Sequence, residues 1–295
     1  MKISTRNMII LTALMLIFTI VLVSCYNNSE IDVAVSAKPL TENELRISIP
    51  KIGKADSFLF HSDSGVVLID CGEYEDGEEI LTTLKSNGIS TIDYLIITHF
   101  DKDHVGGAEY ILKHFEVKNV IEPDRQSDGA EYRLYKTALK KLGMTATTLT
   151  ETMDIQLGSV IYRLYPAHLS SAENNDDNYC SIVVKVIHGE NTLLFTGDAV
   201  GDRLKELIEM GDEIDCDFLK VPHHGVYEEL SEEFIEAVSP EIAVITCSKK
   251  NKESDEVMNI LSNIGATTYR TRKGDITVSS DGTKITVTQG NNEEV

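Results

Sequence analysis

The chain has 295 residues, of which 42% are hydrophobic and 25% charged, a composition typical of a globular protein with one large domain or two small ones. Its 48 acidic residues against 27 basic ones give a net charge of −21, which disfavours tight binding of long nucleic acid unless a metal or a local basic patch compensates. Its five cysteines form no C-x-x-C pair, so neither a zinc knuckle nor a thioredoxin-like motif is indicated. We expect mostly buried free thiols.

The first 24 residues have the pattern of a secretion signal. Lys2 and Arg6 precede the apolar run 8–23, which is short for a bilayer span of roughly 20 residues. Leu-Val-Ser-Cys at 22–25 resembles the lipobox of bacterial lipoproteins, where cleavage before the cysteine leaves a lipidated N-terminus. We therefore expect removal of residues 1–24, lipidation of Cys25, and a flexible tether over 25–42 that holds the protein outside the cytoplasmic membrane. An uncleaved signal anchor is the alternative, and it places the domain on the same side.

Hydrophobic periodicity and turn residues predict strands and helices along the rest of the chain. The predicted strands are 45–49, 56–61, 65–70, 94–98, 117–121, 160–165, 181–187, 192–195, 218–222 and 242–246, with short ones near 268–270, 275–278 and 284–287. The predicted helices are 78–85, 108–115, 129–142, 202–210, 231–238 and 254–264. A β-rich stretch followed by βαβα occurs twice, which predicts an α/β fold over 43–290: a four-layer αβ/βα sandwich of two mixed β-sheets with helices outside. The acidic tail 291–295 is expected to fray.

A dense group of potential metal ligands follows the buried strand 94–98. Within six residues the chain places His99, Asp101, Asp103 and His104. Further candidates stand where later or earlier strands end: Asp70, Asp198 in Thr-Gly-Asp, and His223 and His224 in Val-Pro-His-His-Gly. A single strand-end aspartate is more often a cap, and a histidine pair is often only solvated. Because loops that leave the strands of α/β sheets carry their chemistry, the whole set predicts a metal site.

The run 99–104 resembles the His-x-His-x-Asp-His signature of the metallo-β-lactamase superfamily, in the His-x-Asp-x-Asp-His form of the extracellular domain of ComEC-type DNA-uptake proteins. The segments 68–72, 178–183, 196–198, 220–225 and 269–276 resemble other motifs of that subgroup, so the resemblance covers about residues 44–288. It implies the metallo-β-lactamase fold and one metal position bound by Asp103, His104 and His223, with Asp198 bridging to a second. We prefer His223 to His224 because it leaves the strand first.

The second metal position departs from the superfamily pattern. It would use His99 and Asp101, where Asp101 replaces a histidine, and Asn178 stands near the usual third histidine, for which His168 is only a weak candidate. Oxygen ligands shift the preference from Zn²⁺ towards Mn²⁺ or Mg²⁺. We therefore expect one or two divalent ions, Zn²⁺ or Mn²⁺, with the second held less firmly. The Gly-His-Pro motif expected after 248–251 is also replaced, by Lys-Glu-Ser.

The resemblance implies a hydrolase in which a metal-bound hydroxide attacks phosphorus or a carbonyl carbon. Asp103 would orient the nucleophile, and His224 or Lys220 would stabilise the oxyanion. Asn178 and Ser181 are candidate substrate-binding residues.

The predicted activity is of the phosphodiesterase or nuclease type, on a small-molecule or phosphoester substrate. Lys249, Lys250 and Lys252 are available to hold a phosphate. Hydrolysis of a thioester or lactam is the alternative among enzymes, and Asp101 disfavours the lactam. A non-catalytic, metal-stabilised binding module at the cell surface is the alternative outside enzymes.

Overall fold

The computed structural model describes residues 39–168 and 176–290. In these residues the strands are β1 (Leu45–Ile49), β2 (Phe58–Ser62), β3 (Gly65–Ile69), β4 (Thr91–Ile96), β5 (Glu116–Pro123), β6 (Thr147–Leu149), β7 (Met153–Leu157), β8 (Val160–Tyr165), β9 (Val183–His188), β10 (Asn191–Phe195), β11 (Phe218–Lys220), β12 (Ile242–Ile245), β13 (Thr267–Arg270), β14 (Ile276–Ser280) and β15 (Ile285–Gln289). The helices are α1 (Gly77–Ser86), α2 (Lys102–Val105), α3 (Ala108–His114), α4 (Ala130–Leu142), α5 (Asp202–Glu209), α6 (Ser231–Val238) and α7 (Asp255–Asn263). The predicted signal segment, Cys25, most of the tether and the tail lie outside the described residues.

The strands form two mixed sheets. The first has eight strands in the order β15-β14-β1-β2-β3-β4-β5-β6, and the second has seven in the order β13-β12-β11-β10-β9-β8-β7. Strands β3 to β6 run parallel to one another, and so do β10 to β13. The carboxyl ends of neighbouring parallel strands meet at one edge of each sheet, which is where such sheets place their functional loops.

Apolar side chains from the facing surfaces of both sheets form the central core. Phe195 of the second sheet packs edge-on against Phe58 and Phe60 of the first, with ring centroids 5.1 and 4.9 Å apart. A second apolar cluster lies between the first sheet and helices α1, α3 and α4, and a third between the second sheet and α5, α6 and α7. Burial of each large apolar side chain contributes about 1.5–3 kcal/mol, so these three layers of contact hold the four-layer sandwich together. The predicted fold class is confirmed.

Two strands of the structure were not predicted, and both are edge strands. β6 ends the first sheet and β7 ends the second. Each has only one hydrogen-bonded neighbour and a single fully buried residue, Leu149 in β6 and Ile155 in β7. β6 is only three residues long and two of them are exposed threonines, so its periodic signal is weak. β7 alternates Met153, Ile155 and Leu157 with polar residues, a strand signal that was overlooked in the sequence.

Two further observations concern thiols and membrane spans. Among the described residues Cys71, Cys180, Cys216 and Cys247 are buried free thiols, as expected. In the same part of the chain no helix has the length and hydropathy needed to cross a bilayer.

Candidate metal centre

The first sheet supplies one half of the site through the short segment between β4 and α3. The N-terminus of helix α2 follows Asp101 directly, so Asp103 and His104 lie in its first turn. His104 is fully buried, and its Nδ1 lies 2.8 Å from Oδ2 of Asp70, which has a left-handed φ of 59° at the end of β3. Asp70 also accepts hydrogen bonds from the backbone N and Oγ1 of Thr98 at 2.8 and 2.7 Å. Asp70 therefore fixes the imidazole with Nε2 facing the cluster, as carboxylates behind metal-binding histidines do.

The second sheet supplies the other half from the ends of two parallel strands. Asp198 follows β10 through Gly197, whose φ is 53°, and His224 follows β11 with a φ of 54°. Nδ1 of His224 lies 3.0 Å from Oγ1 of Thr246, the residue after β12. The Nε2 atom of His224 is thereby brought to 2.9 Å from Oδ2 of Asp198 and 3.2 Å from Oδ2 of Asp103.

These two halves meet in one group of potential ligands. The ligand atoms of Asp103, His104, Asp198 and His224 all lie within 4.8 Å of one another, and all four residues are buried. Tetrahedral ligands about 2.0 Å from a metal are about 3.3 Å apart, close to the contacts of 2.9 to 3.3 Å among these atoms. The Nε2 atoms of His104 and His224 make no well-aligned hydrogen bond within the described residues. The group therefore fits a divalent metal with two imidazole and two carboxylate ligands.

The residues of this group shift one another's pKa values. Burial alone would lower the pKa of His104, but the carboxylates of Asp198 and Asp70 outweigh it and raise the pKa well above its usual value. The pKa of His224 is raised in the same way, chiefly by Asp198. Despite burial, His224 and His104 hold the pKa of Asp198 well below its usual range. Asp198 is therefore ionised at neutral pH, and the ionised form is the one in which a carboxylate binds a cation.

A buried lysine lies behind Asp198. Nζ of Lys220 is 2.5 Å from Oδ2 of Asp56 and 3.2 Å from Oδ1 of Asp198, and it donates to the carbonyl of Gly197 at 2.8 Å. Lys220 has no exposed surface, so its ammonium orients Asp198 and is not available to stabilise an oxyanion on a substrate. Asp56 was missed from the sequence because it precedes β2 and has no motif around it.

A second missed residue is Lys54, whose Nζ lies 2.5 Å from Oδ2 of Asp103. Its side chain is 32% exposed, in contrast to that of Lys220. The Lys-x-Asp pattern of residues 54–56 is too common to have been singled out in the sequence.

The proposed second metal position is less complete. His99 is fully buried, with Nδ1 3.0 Å from Oγ1 of Thr98, and its Nε2 lies 3.9 Å from Oδ2 of the half-exposed Asp101. Burial and the neighbouring His104 hold the pKa of His99 well below its usual value, which leaves a neutral imidazole. Burial, with the carboxylates of Asp177 and Asp103, raises the pKa of Asp101 to about 6. Neither residue is part of the four-ligand group.

The structure corrects the preference for His223. Nδ1 of His223 lies 3.1 Å from Oε1 of Glu228, on the outer side of the turn, and His224 takes the place in the cluster. The reason is that residues 223 and 224 both have left-handed φ angles, of 48° and 54°, so the turn carries the second imidazole inward. Sequence order along a strand does not reveal such a turn.

The remaining candidates lie near the cluster or at the surface. Oγ of Ser181 accepts a hydrogen bond from the backbone N of Asp198 at 3.2 Å, and Ser181 is fully buried, so it positions Asp198 and does not face a substrate. Asn178 is buried, and its Oδ1 has no hydrogen-bond partner in the described region. His168 is exposed, and its backbone N lies 3.4 Å from Glu206.

The chain is similar to known proteins in sequence and in fold. The sequence model of the family described as Metallo-beta-lactamase superfamily matches residues 51–249. ComE operon protein 3 of Bacillus subtilis is 28% identical over 235 residues, with 72% of this chain and 30% of that protein covered. Recombination protein 2 of Haemophilus influenzae is 28% identical over 219 residues, with 72% and 26% covered. The chain thus spans less than a third of the length of either relative.

A shorter match and two solved structures complete the comparison. Hydroxyacylglutathione hydrolase of Aliivibrio salmonicida is 29% identical over 111 residues, which is 34% of this chain and 42% of that enzyme. The metallo-beta-lactamase fold protein YhfI of Bacillus subtilis superposes with a TM-score of 0.51 at 11% identity, with 77% and 95% of the two chains covered. CmlA, a diiron beta-hydroxylase of Streptomyces venezuelae, gives 0.51 at 16% identity, with 79% and 53% covered. At these identities the two structures show a shared fold.

Proposed function

Because the chain belongs to the metallo-β-lactamase superfamily and is homologous to ComE/ComEC-type competence proteins, we propose that it is a metal-dependent phosphodiesterase. The observation that carries this proposal is the buried group of Asp103, His104, Asp198 and His224. Two neutral donors and two carboxylates are the ligand set of a hydrolytic divalent metal. A metal bound there would supply Lewis-acid activation of water and of the ester oxygen.

The protein's own residues would position this chemistry. Asp70 orients His104, Thr246 orients His224, and Lys220 orients Asp198. The ammonium of Lys54 reaches the rim of the cluster at Asp103, where it can neutralise charge that develops on a phosphoryl oxygen. His224 acts as a ligand in this arrangement, and Asp103 combines ligation with orientation of the attacking water.

Charge limits the substrate to a small phosphodiester. The chain carries a net charge of −21, which repels a long polyanion, whereas a single phosphate can be held locally. The loop of Lys249, Lys250 and Lys252 could supply such a contact. Its end is held beside the turn of His224, because the backbone N of Ser254 donates a hydrogen bond to the carbonyl of Gly225 at 2.9 Å. We further propose that Cys25 anchors the protein outside the cytoplasmic membrane, and release of a Cys25→Ser variant into the soluble fraction tests this.

The full-length chain, purified in mild detergent, tests the proposed activity. We expect bound Mn²⁺ or Zn²⁺ in elemental analysis and hydrolysis of bis(p-nitrophenyl) phosphate that depends on added metal. Asp103→Ala should lose at least about 100-fold in kcat/KM and most of the metal. A metal-free wild-type protein, or a variant as active as the wild type, contradicts the proposal.

Thioester hydrolysis is the second candidate, favoured by the match to hydroxyacylglutathione hydrolase over 34% of this chain. The same cluster can activate water for attack on an acyl carbon. A kcat/KM for a hydroxyacylglutathione that exceeds the value for the phosphodiester would reverse the order of the two candidates.

A further inference from the structure

A cleft of about 790 Å³ opens beside the second metal position. Its walls are the loop of residues 100–102, the loop of residues 125–131, and the turn with Asp176 and Asp177. Asp101 is part of the wall, and its Oδ2 lies 3.9 Å from Nε2 of His99. The cleft therefore leads directly to the metal-binding end of the molecule.

Carboxylates dominate the walls of this cleft. The acidic lining residues are Asp101, Asp128, Glu131, Asp176 and Asp177, and the basic ones are Lys102 and Arg125. Both cations have carboxylate partners: Nε of Arg125 donates to Oδ1 of Asp177 at 2.5 Å, and Nζ of Lys102 lies 3.4 Å from Oε1 of Glu73. The cleft is thus left with an excess of negative charge.

Two buried polar atoms beside the cleft have no hydrogen-bond partner among the described residues. One is Nε2 of His99, which faces Asp101. The other is Oδ1 of Asn178, on the turn that also carries Asp176 and Asp177. Unpaired buried polar atoms next to an open cleft indicate that a ligand completes the site.

The loop packed beside the turn of His224 carries exposed basic side chains, those of Lys249, Lys250 and Lys252. It is joined to the turn of His224 through the hydrogen bond from Ser254 N to Gly225 O at 2.9 Å. A phosphate is therefore favoured near the turn of His224, and a cationic group in the acidic cleft.

We propose that the acidic cleft binds the positively charged alcohol portion of the substrate, so that the preferred substrate is a phosphodiester of an amino alcohol. The inference rests on the proposed function, whose substrate class it narrows. The ammonium group lies beside the carboxylates of Asp128 and Glu131, and the scissile phosphate lies at the cluster. A polyanion has no favourable place in this cleft.

A matched pair of substrates tests the proposal with the full-length, metal-loaded protein. The 2-aminoethyl and n-propyl esters of p-nitrophenyl phosphate have the same number of heavy atoms and differ in one charge. We expect kcat/KM to be about tenfold higher for the aminoethyl ester at low ionic strength, through a lower KM. The preference should fall when 0.5 M salt screens the charges.

The double variant Asp128→Asn/Glu131→Gln should lower this preference to below about threefold, because it removes two carboxylates that face the ammonium group. Glu78→Gln/Glu79→Gln removes the same charge from exposed positions on α1, outside the cleft, and should keep the full preference. Equal kcat/KM values for the two esters in the wild type, or an undiminished preference in Asp128→Asn/Glu131→Gln, would overturn the proposal.

A failure of the proposed function has a different signature, since neither ester would then be hydrolysed. In that event calorimetric binding of 2-aminoethyl phosphate and n-propyl phosphate decides the question. Tighter binding of the amine by the wild type, lost in Asp128→Asn/Glu131→Gln, supports the cleft as a cation site, and equal affinities contradict it.

Discussion

The two halves of the metal cluster are built in different ways. Asp103 and His104 come from one turn of helix α2, within a single short segment. Asp198 and His224 come from loops after β10 and β11, so their meeting depends on the parallel register that pairs Phe195 with Lys220. The first half is thus set by local sequence, and the second half by sheet pairing and buried charge.

Lys220 is the residue on which the second half depends most. Its ammonium joins Asp56, next to the first sheet, to Asp198 and Gly197 of the second. All three charged side chains are almost completely buried. Loss of the ammonium would leave two carboxylates without this partner in a region of low dielectric constant.

The largest effect is therefore expected for Lys220→Met, measured on metal-free protein so that ligand binding does not mask it. We expect a loss of about 3–5 kcal/mol in the free energy of unfolding from urea titrations. The variant Lys220→Met/Asp56→Asn removes both charges, and it should recover at least about 1 kcal/mol of that loss. If Lys220→Met is as stable as the wild type, the second half is held by sheet pairing alone.

The next largest effect distinguishes the two adjacent histidines. His224→Ala removes a ligand of the cluster and should lower both metal affinity and kcat/KM at least about 100-fold. His223→Ala removes only the contact with Glu228, and its kcat/KM should stay within about threefold of the wild type. Calorimetric titration of Mn²⁺ and Zn²⁺ into both variants gives the affinity directly. A larger loss in His223→Ala would mean that the turn adopts another conformation when metal binds.

This difference between the halves also explains what the sequence could predict. Asp103 and His104 were found because ligands close in sequence stand out from the background. Asp198 was found from its glycine and its strand. His224 was placed second to His223, since a left-handed turn of two non-glycine residues has no clear sequence signal. Asp56 and Lys54 were missed because they come from the segment before β2, far in sequence from Asp103, and only the folded chain brings that segment beside it.

The roles behind the ligands were likewise beyond the sequence. Lys220 and Ser181 were predicted to face the substrate, and the structure places both in full burial against Asp198. A lysine or serine at a strand end has the same pattern whether it contacts substrate or supports a ligand. Only the burial of the side chain separates the two roles.

The smallest of the three effects concerns the loop that follows β12 in the second half. Glu253 accepts hydrogen bonds from Arg270 Nη1 at 2.9 Å and from Arg272 Nε and Nη2 at 3.0 and 2.8 Å. Burial alone would raise the pKa of Glu253, but the bonds from Arg272 and Arg270 outweigh it and lower the pKa to about 2. Because the folded pKa lies below the unfolded value of about 4.5, this pairing stabilises the fold above that pH, and the stabilisation is lost as the pH falls towards 2.

Glu253→Gln should therefore lower the free energy of unfolding by about 2 kcal/mol at pH 7, and the difference from the wild type should shrink as the pH falls from 4.5 to 3. Urea titrations at pH 7.0, 4.5 and 3.0 measure both. Glu241→Gln, an exposed change just before β12, serves as the control and should shift stability by less than about 0.5 kcal/mol at any of these values. A difference for Glu253→Gln that does not change with pH would assign the stabilisation to the shape of the side chain and not to its charge. In that case the loop beside His224 would be held by packing and not by charge.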